Sequence, residues 1–206
     1  MRKFHTFLVL TAVMGISALA LLVAQPVSEV QNQLVTVSPV SEASSESEGI
    51  LYMREEEKLA RDVYLALYDR WVLRTFANIA QAEQMHMDSV GALIEAQGLV
   101  DPVTGSQPGE FKNPTLAALY ASLVELGSQS LQDALIVGTI IEGLDIYDLE
   151  NYLSETDDPA SIAVYTNLLR GSENHMRSFS RQLSRYGIAY EARYITQERL
   201  EEILSR

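Results

Sequence analysis

Polar side chains interrupt the apolar faces of four predicted helices near their centres. Glu83 and His86 stand three residues apart in the segment NIAQAEQMHMDSV, residues 78–90. Residues three or four positions apart share one face of a helix, so this pair belongs to the same stripe as the apolar residues around it. The other three stripes are interrupted by Glu57, by Glu142 and Asp145, and by His175.

The four carboxylates need a shared partner if all of them point into one core. A buried carboxylate costs several kcal/mol unless it is paired or neutralised. Arg61, at the edge of the first stripe, cannot pair with four carboxylates. Four carboxylates and two imidazoles are the ligand set of a two-metal centre in a helix bundle. Because oxygen and imidazole donors suit iron or manganese, the sequence predicts two bound iron ions, with manganese as the alternative metal.

Simpler interpretations of the same residues stay open at this point. Glu83 and His86 taken alone form an ordinary polar pair on a helix, and His175 alone is typical of a hydrogen-bonded core histidine. Asp145 can hydrogen-bond a neighbour instead of a metal. A metal-free bundle with protonated carboxylates also accounts for the stripes. It is the presence of carboxylates on several stripes together that favours metal.

Other acids near the stripes are expected to lie outside the site. Glu55 and Glu56 precede Glu57, and the run is interpreted as part of a charged first turn in which only Glu57 joins the stripe. Glu173 is two residues from His175, which places it about 200° away around the helix. It is therefore expected to face away from the metals.

The stripes lie on a chain whose pattern is helical from residue 49 onward. In chain order the predicted helices cover 50–70, 74–97, 115–126, 129–154, 159–186 and 194–204. The links within the first pair and the last pair of long helices are short, and the link between the pairs is long. This spacing predicts an all-α, antiparallel four-helix bundle with a long crossover between its second and third long helices.

Composition restricts the classes of partner. The 206 residues include 28 Asp and Glu against 15 Lys and Arg, for a net charge of −13. Such a charge argues against nucleic acid or an anionic membrane surface as the main partner. The chain has no cysteine, which excludes disulfides, a thiolate nucleophile and a lipoprotein anchor. Metal ions are the partners that remain indicated, and the oligomeric state is left open.

The domain organisation follows from where the helical pattern begins. Residues 1–24 have a basic start and an apolar run, which is typical of an export signal peptide. Residues 25–48 are rich in polar residues without a helical period and are predicted to form a disordered linker. The bundle is predicted at 49–190 and a C-terminal helical extension at 191–206. Cleavage would release an exported protein, whereas an uncleaved leader would act as a membrane anchor.

Four segments in order resemble one family. They are EEEKLARDVYLALY, FANIAQAEQMHMDSV, DALIVGTIIEGLDIYDL and VYTNLLRGSENHMRSF. They are similar to the DUF2202 domain and, more broadly, to the ferritin-like superfamily of di-iron four-helix bundles. The resemblance implies two iron ions that react with dioxygen or peroxide, as in a ferroxidase, peroxidase or oxidase. The alternative is a metal-stabilised helical interaction module without catalysis.

The superfamily pattern can be carried over residue by residue. It has one glutamate on each of the first and third long helices, and Glu-x-x-His on the second and fourth. The matching residues here are Glu57, Glu83 with His86, Glu142 and His175. The fourth helix departs from the pattern because Ser172 stands where the glutamate is expected. Asp145, one turn from Glu142, is predicted to compensate, and Tyr64 matches a tyrosine beside the metals.

The leader generates the first testable prediction. Because residues 1–24 have the anatomy of a cleavable signal, the mature protein is expected to begin at or near Gln25. Intact-mass measurement on natively expressed protein checks this. Retention of Met1 would contradict cleavage and indicate an anchor.

Overall fold

The computed structural model describes residues 46–206, and these residues fold as helices joined by turns and loops, without a β-strand among them. The helices are α1 Glu46–Trp71, α2 Arg74–Ala96, α3 Pro114–Gly127, α4 Leu131–Glu155, α5 Pro159–Ser184 and α6 Gln197–Ser205. The all-α prediction is confirmed for this part of the chain. Helix α1 begins at Glu46, so residues 46–48 are helical rather than part of the predicted linker. The signal peptide and residues 25–45 of the linker lie outside the described residues.

Local sequence signals explain where the later helices begin. The side chains of Asn113, Ser130, Asp158 and Thr196 each accept a hydrogen bond from a backbone N–H in the first turn of the helix that follows. Such caps satisfy N–H groups that have no partner inside the helix. Proline also stands at the start of α3 and α5, where a missing N–H costs nothing.

The four long helices form an antiparallel bundle. The short α1–α2 and α4–α5 turns make each of these pairs antiparallel. Gly49, near the start of α1, lies against the Tyr152 ring near the end of α4. Thr75, at the start of α2, accepts a hydrogen bond from Gln182 near the end of α5. Helices α2 and α4 therefore run in the same direction, and only a crossover as long as the bundle can connect them.

The crossover is held by charged residues buried on the outer side of α1. Lys58 Nζ lies 2.5 Å from Asp62 Oδ2 and donates a hydrogen bond to the Gln107 carbonyl at 2.9 Å. The backbone N–H of Gly109 donates to Asp62 at 2.9 Å. Buried polar groups are stable only when partnered in this way. The arrangement fixes the crossover along α1, opposite the face that looks into the bundle.

The same contacts correct the interpretation of Glu55. Its carboxylate accepts hydrogen bonds from the backbone N–H groups of Lys112 and Asn113, at 2.6 and 3.1 Å. Glu55 is 5% exposed, and it does not lie in the first turn because α1 begins nine residues earlier, at Glu46. The interpretation of Glu55 as part of a charged first turn was therefore wrong, and the face of α1 that carries Glu55 is covered by the crossover.

Apolar packing closes the bundle beside its polar centre. The Tyr64, Phe76 and Phe179 rings form one cluster, with centroid separations of 5.3 to 6.3 Å. Phe179 also covers Gly138, where a Cβ atom would lie 2.6 Å from the ring. Helices α4 and α5 can approach this closely because Gly138 has no side chain. Within the described residues, no helix has the length and apolar character needed to cross a membrane.

Glu55→Ala is predicted to destabilise the fold by about 1–3 kcal/mol, because it leaves backbone N–H groups of the crossover without an acceptor. Urea unfolding followed by circular dichroism measures the change. Glu125→Ala, at an exposed position of α3, is the matched control and is expected to change stability by less than about 0.5 kcal/mol. Equal stability of the two variants would contradict the anchoring role of Glu55.

Candidate metal centre

Two groups of three donor residues meet in the middle of the bundle. One group is Glu57, Glu83 and His86, and the other is Glu83, Glu142 and His175. Within each group one donor atom per residue lies within 4.8 Å of the others, and all of the residues are buried. The structure thus brings together five of the six predicted ligands, from four different helices. Glu83 belongs to both groups.

Glu83 presents one carboxylate oxygen to each histidine. Its Oε2 atom lies 2.7 Å from His86 Nδ1, and its Oε1 atom lies 2.9 Å from His175 Nδ1. A carboxylate that is divided in this way can bridge two metal ions, one on each oxygen. The two imidazole rings stand on either side of it with centroids 5.6 Å apart.

Two further glutamates flank this arrangement with nearly matching geometry. Glu57 Oε2 lies 3.3 Å from His86 Nδ1, and Glu142 Oε2 lies 3.4 Å from His175 Nδ1. Each half therefore contains one imidazole, one carboxylate of its own and a share of Glu83. Three protein donors on each side are fewer than the six that iron or manganese accepts in octahedral coordination.

The donor atoms fit a metal better than they fit one another. His86 Nδ1, His175 Nδ1 and Glu57 Oε1 are buried, and none of them makes a hydrogen bond of regular geometry within the described residues. The imidazole nitrogens are close to carboxylate oxygens but are not aligned with them as donors. Buried polar atoms without such partners are rare in proteins. Oxygen and imidazole donors that converge on a shared space are what a borderline or hard cation requires.

The charges of Glu57, Glu83 and His86 change one another's pKa. Burial lowers the pKa of the His86 imidazole, but the close carboxylates of Glu57 and Glu83 outweigh it and raise this pKa to about 11. Burial raises the pKa of the Glu57 carboxyl to about 7 despite the opposing effect of His86. Burial also acts on Glu83, yet His175 and His86 hold its pKa down to about 2. A metal that binds here must displace protons from the imidazoles.

Asp145 and Ser172 lie beside the two groups. The Ser172 hydroxyl donates a hydrogen bond to Asp145 Oδ2. The other oxygen of Asp145 is buried without a hydrogen-bond partner in the described part of the chain. Burial, followed by the charge of Glu57, raises the pKa of the Asp145 carboxyl well above its usual value. Asp145 is thus adjacent to the centre but outside both groups, and its role as a ligand stays a prediction.

Tyr64 and Glu173 occupy different surroundings. The Tyr64 hydroxyl donates a hydrogen bond to Glu142 Oε1, so the tyrosine orients a candidate ligand. Glu173 belongs to neither donor group, and its carboxylate pairs with Arg199 and Arg206 near the C-terminus. The predicted direction of Glu173, away from the metals, agrees with these contacts. It is nevertheless only 7% exposed, because α6 packs over it.

The sequence reasoning missed a second pair of buried acids, Glu56 and Asp148, each 2% exposed. Glu56 was interpreted as part of a charged first turn, which is wrong because α1 begins ten residues earlier, at Glu46. The spacing of Asp148 contained a usable signal. Glu142, Asp145 and Asp148 repeat every three residues and therefore follow one face of α4.

Gly171 makes room for the His86 ring. A Cβ atom at position 171 would lie 2.5 Å from both Cε1 and Nε2 of His86. Gly171→Ala is therefore expected to displace the imidazole and reduce bound metal by at least one ion per chain, with helix content unchanged. Metal analysis together with circular dichroism measures both quantities.

The matched control is Gly143→Ala on α4, where the nearest atom to an added Cβ is the Tyr190 hydroxyl oxygen at 3.4 Å. It should retain full metal binding, since this separation is an ordinary contact. Alanine is otherwise favoured over glycine in a helix by about 1 kcal/mol, so general helix destabilisation does not explain a loss. Full metal binding by Gly171→Ala would show that the His86 position is not needed.

Comparison with known proteins places the chain in a family. The model of the family described as "Uncharacterized protein domain (DUF2202)" matches residues 46–206. The chain is 52% identical over 167 residues to the uncharacterized protein MJ0754 of Methanocaldococcus jannaschii, covering 81% of this chain and 89% of that protein. It is also similar to the crystal structure of hypothetical protein MJ0754, with a TM-score of 0.78 and 50% identity, covering 82% of this chain and 97% of that one. The chain belongs to the DUF2202 family.

Proposed function

We propose that this chain is an exported, ferritin-like protein that binds two iron ions in a carboxylate-bridged centre and uses them in redox chemistry. Manganese is the alternative metal. The observation that carries the proposal is the position of Glu83, which offers one oxygen toward each of the two histidines at 2.7 and 2.9 Å. A single carboxylate shared in this way is the core of a dinuclear site in a helix bundle.

Each residue of the centre has a distinct part in this proposal. His86 and His175 would supply the nitrogen ligands through Nδ1, and the Glu83 carboxylate would be shared by the two ions. Glu57 and Glu142 complete the two halves, and Tyr64 fixes the orientation of Glu142 through its hydroxyl. The proposed role of Asp145 is to supply an oxygen to the side where Ser172 replaces a carboxylate.

The donor count favours redox chemistry over a purely structural metal. Each half offers three protein donors, or four where Asp145 joins, and a six-coordinate ion would then keep positions open for water, dioxygen or peroxide. Structural sites usually fill all positions with protein ligands. Bound iron would transfer electrons to dioxygen or peroxide. The proposed substrate is ferrous iron itself, peroxide or a small organic molecule. The surrounding aromatic cluster, which includes Tyr64 and Phe179, limits access of bulk water.

Metal stoichiometry and ferrous oxidation test the proposal together. Protein from iron-supplemented cells is expected to hold the two ions and to oxidise ferrous iron in the presence of dioxygen or peroxide. His86→Ala, His175→Ala and Glu83→Ala are each expected to lose at least one ion per chain and most of the oxidation rate, because each removes a donor. The matched control is Glu95→Ala, at an exposed position of α2, which should keep both.

The outcomes separate three interpretations. Retention of both ions by the two histidine variants would end the dinuclear proposal. Stable metal binding without oxidation of ferrous iron or of an organic substrate, and without consumption of peroxide, would contradict the redox part of the proposal. It would favour the metal-stabilised interaction module. Asp145→Asn is expected to weaken one ion selectively, whereas Glu173→Gln should leave metal binding unchanged because its carboxylate faces Arg199.

A further inference from the structure

A second acidic pair lies next to the candidate metal centre. Glu56 precedes Glu57 on α1, and Asp148 lies one helical turn beyond Asp145 on α4. Both residues are buried, since each is only 2% exposed, and Glu56 interacts with Asp145 and Asp148 of α4. The dinuclear centre as proposed uses neither of them.

Three of the four carboxylate oxygens of this pair lack a hydrogen-bond partner in the described residues. Both carboxylate oxygens of Glu56 and the Oδ2 atom of Asp148 are buried and accept no hydrogen bond within residues 46–206. Two facing carboxylates can hydrogen-bond each other only if one of them is protonated. An unpartnered buried carboxylate is costly, so the folded protein must neutralise this pair in some way.

The neighbouring charges increase that cost. Burial raises the pKa of the Glu56 carboxyl well above its usual value, and the charges of Asp148, Asp145 and Glu57 raise it further. Burial also raises the pKa of Asp148 to about 7, although Glu56 and the Tyr52 hydroxyl oppose the effect. Glu56 and Asp148 are therefore close enough to act strongly on each other.

Tyrosines line the same region. Burial, followed by the charges of Glu56 and Asp148, raises the pKa of the hydroxyls of Tyr52 and Tyr152. The tyrosine hydroxyl groups are polar but uncharged. They surround the two acids with polar atoms but cannot balance their negative charge.

A count of charges indicates what balances it. The centre and its surroundings contain the buried carboxyl groups of Glu56, Glu57, Glu83, Glu142, Asp145 and Asp148. Two divalent ions bound with neutral imidazoles would neutralise four of these six carboxylates. The negative charge that remains equals that of ionised Glu56 and Asp148. This count rests on the proposed function, whereas the unpartnered oxygens of Glu56 and Asp148 do not.

We propose that Glu56 and Asp148 bind a further divalent cation, separate from the dinuclear centre. The site offers only oxygen donors, which suit a hard cation such as Mg²⁺ or Mn²⁺. Such ions are commonly held by one or two carboxylates and complete their coordination with water. Asp145 interacts electrostatically with residues of both sites.

Manganese binding tests the proposal on the full chain. Equilibrium dialysis against Mn²⁺, followed by metal analysis, is expected to give one more ion per chain than the dinuclear centre holds. Glu56→Gln and Asp148→Asn should each lose that one ion and keep the others. Glu55→Gln is the matched control, since Glu55 is a buried neighbour whose carboxylate already accepts backbone N–H groups. It should bind as much Mn²⁺ as the unaltered chain.

Anomalous diffraction from a Mn²⁺-soaked crystal locates the ion independently of any variant, with a peak expected between Glu56 and Asp148. No peak there, or unchanged stoichiometry in Glu56→Gln, would overturn the proposal in favour of a shared proton. The His86→Ala variant separates the two proposals. If His86→Ala loses metal from the dinuclear centre but keeps an ion that is lost when Glu56→Gln is added, the further site is supported. This holds whether or not the dinuclear centre has redox activity.

Discussion

The structure depends on a carboxylate, Glu83, that is buried between two imidazoles. An isolated charge at this depth would be too costly to keep, and the positions of His86 and His175 are what lower that cost. Because the three groups come from α2 and α5, the bundle can hold them only if these helices stay in register. Glu57 and Glu142 then add α1 and α4 to the same constraint. The polar centre thus specifies the packing of all four long helices.

The crossover provides the second constraint. Helices α2 and α4 run in the same direction, so the chain must return along the bundle between them. It does so against the side of α1 that carries Lys58 and Asp62, whose charges partner the crossover backbone. Helix α1 is consequently buried by the bundle on one side and by the crossover on another. Its side chains serve two environments, one that contains the candidate metal ligands and one that holds the loop.

This double burial explains how far the sequence could be interpreted. Four long helices with polar residues at mid-stripe predicted Glu57, Glu83, His86, Glu142 and His175 correctly as neighbours, because the helical period places them on inward faces. The same method assumes one buried face per helix. It therefore misassigned Glu56, which lies beside Asp148 of α4, and Glu55, which contacts the crossover. No local sequence pattern indicates burial beneath the crossover, because the crossover residues that contact Glu55 are distant from it in sequence.

Gly171 has a consequence for how the family can vary. The imidazole of His86 occupies the space where a side chain at position 171 would begin. The two positions are therefore sterically coupled although they lie on different helices. A relative with a larger residue at the position of Gly171 must have a smaller residue in place of His86, a displaced imidazole or a displaced α5. Substitution at both positions together would thus identify members of the family that have lost the histidine equivalent to His86.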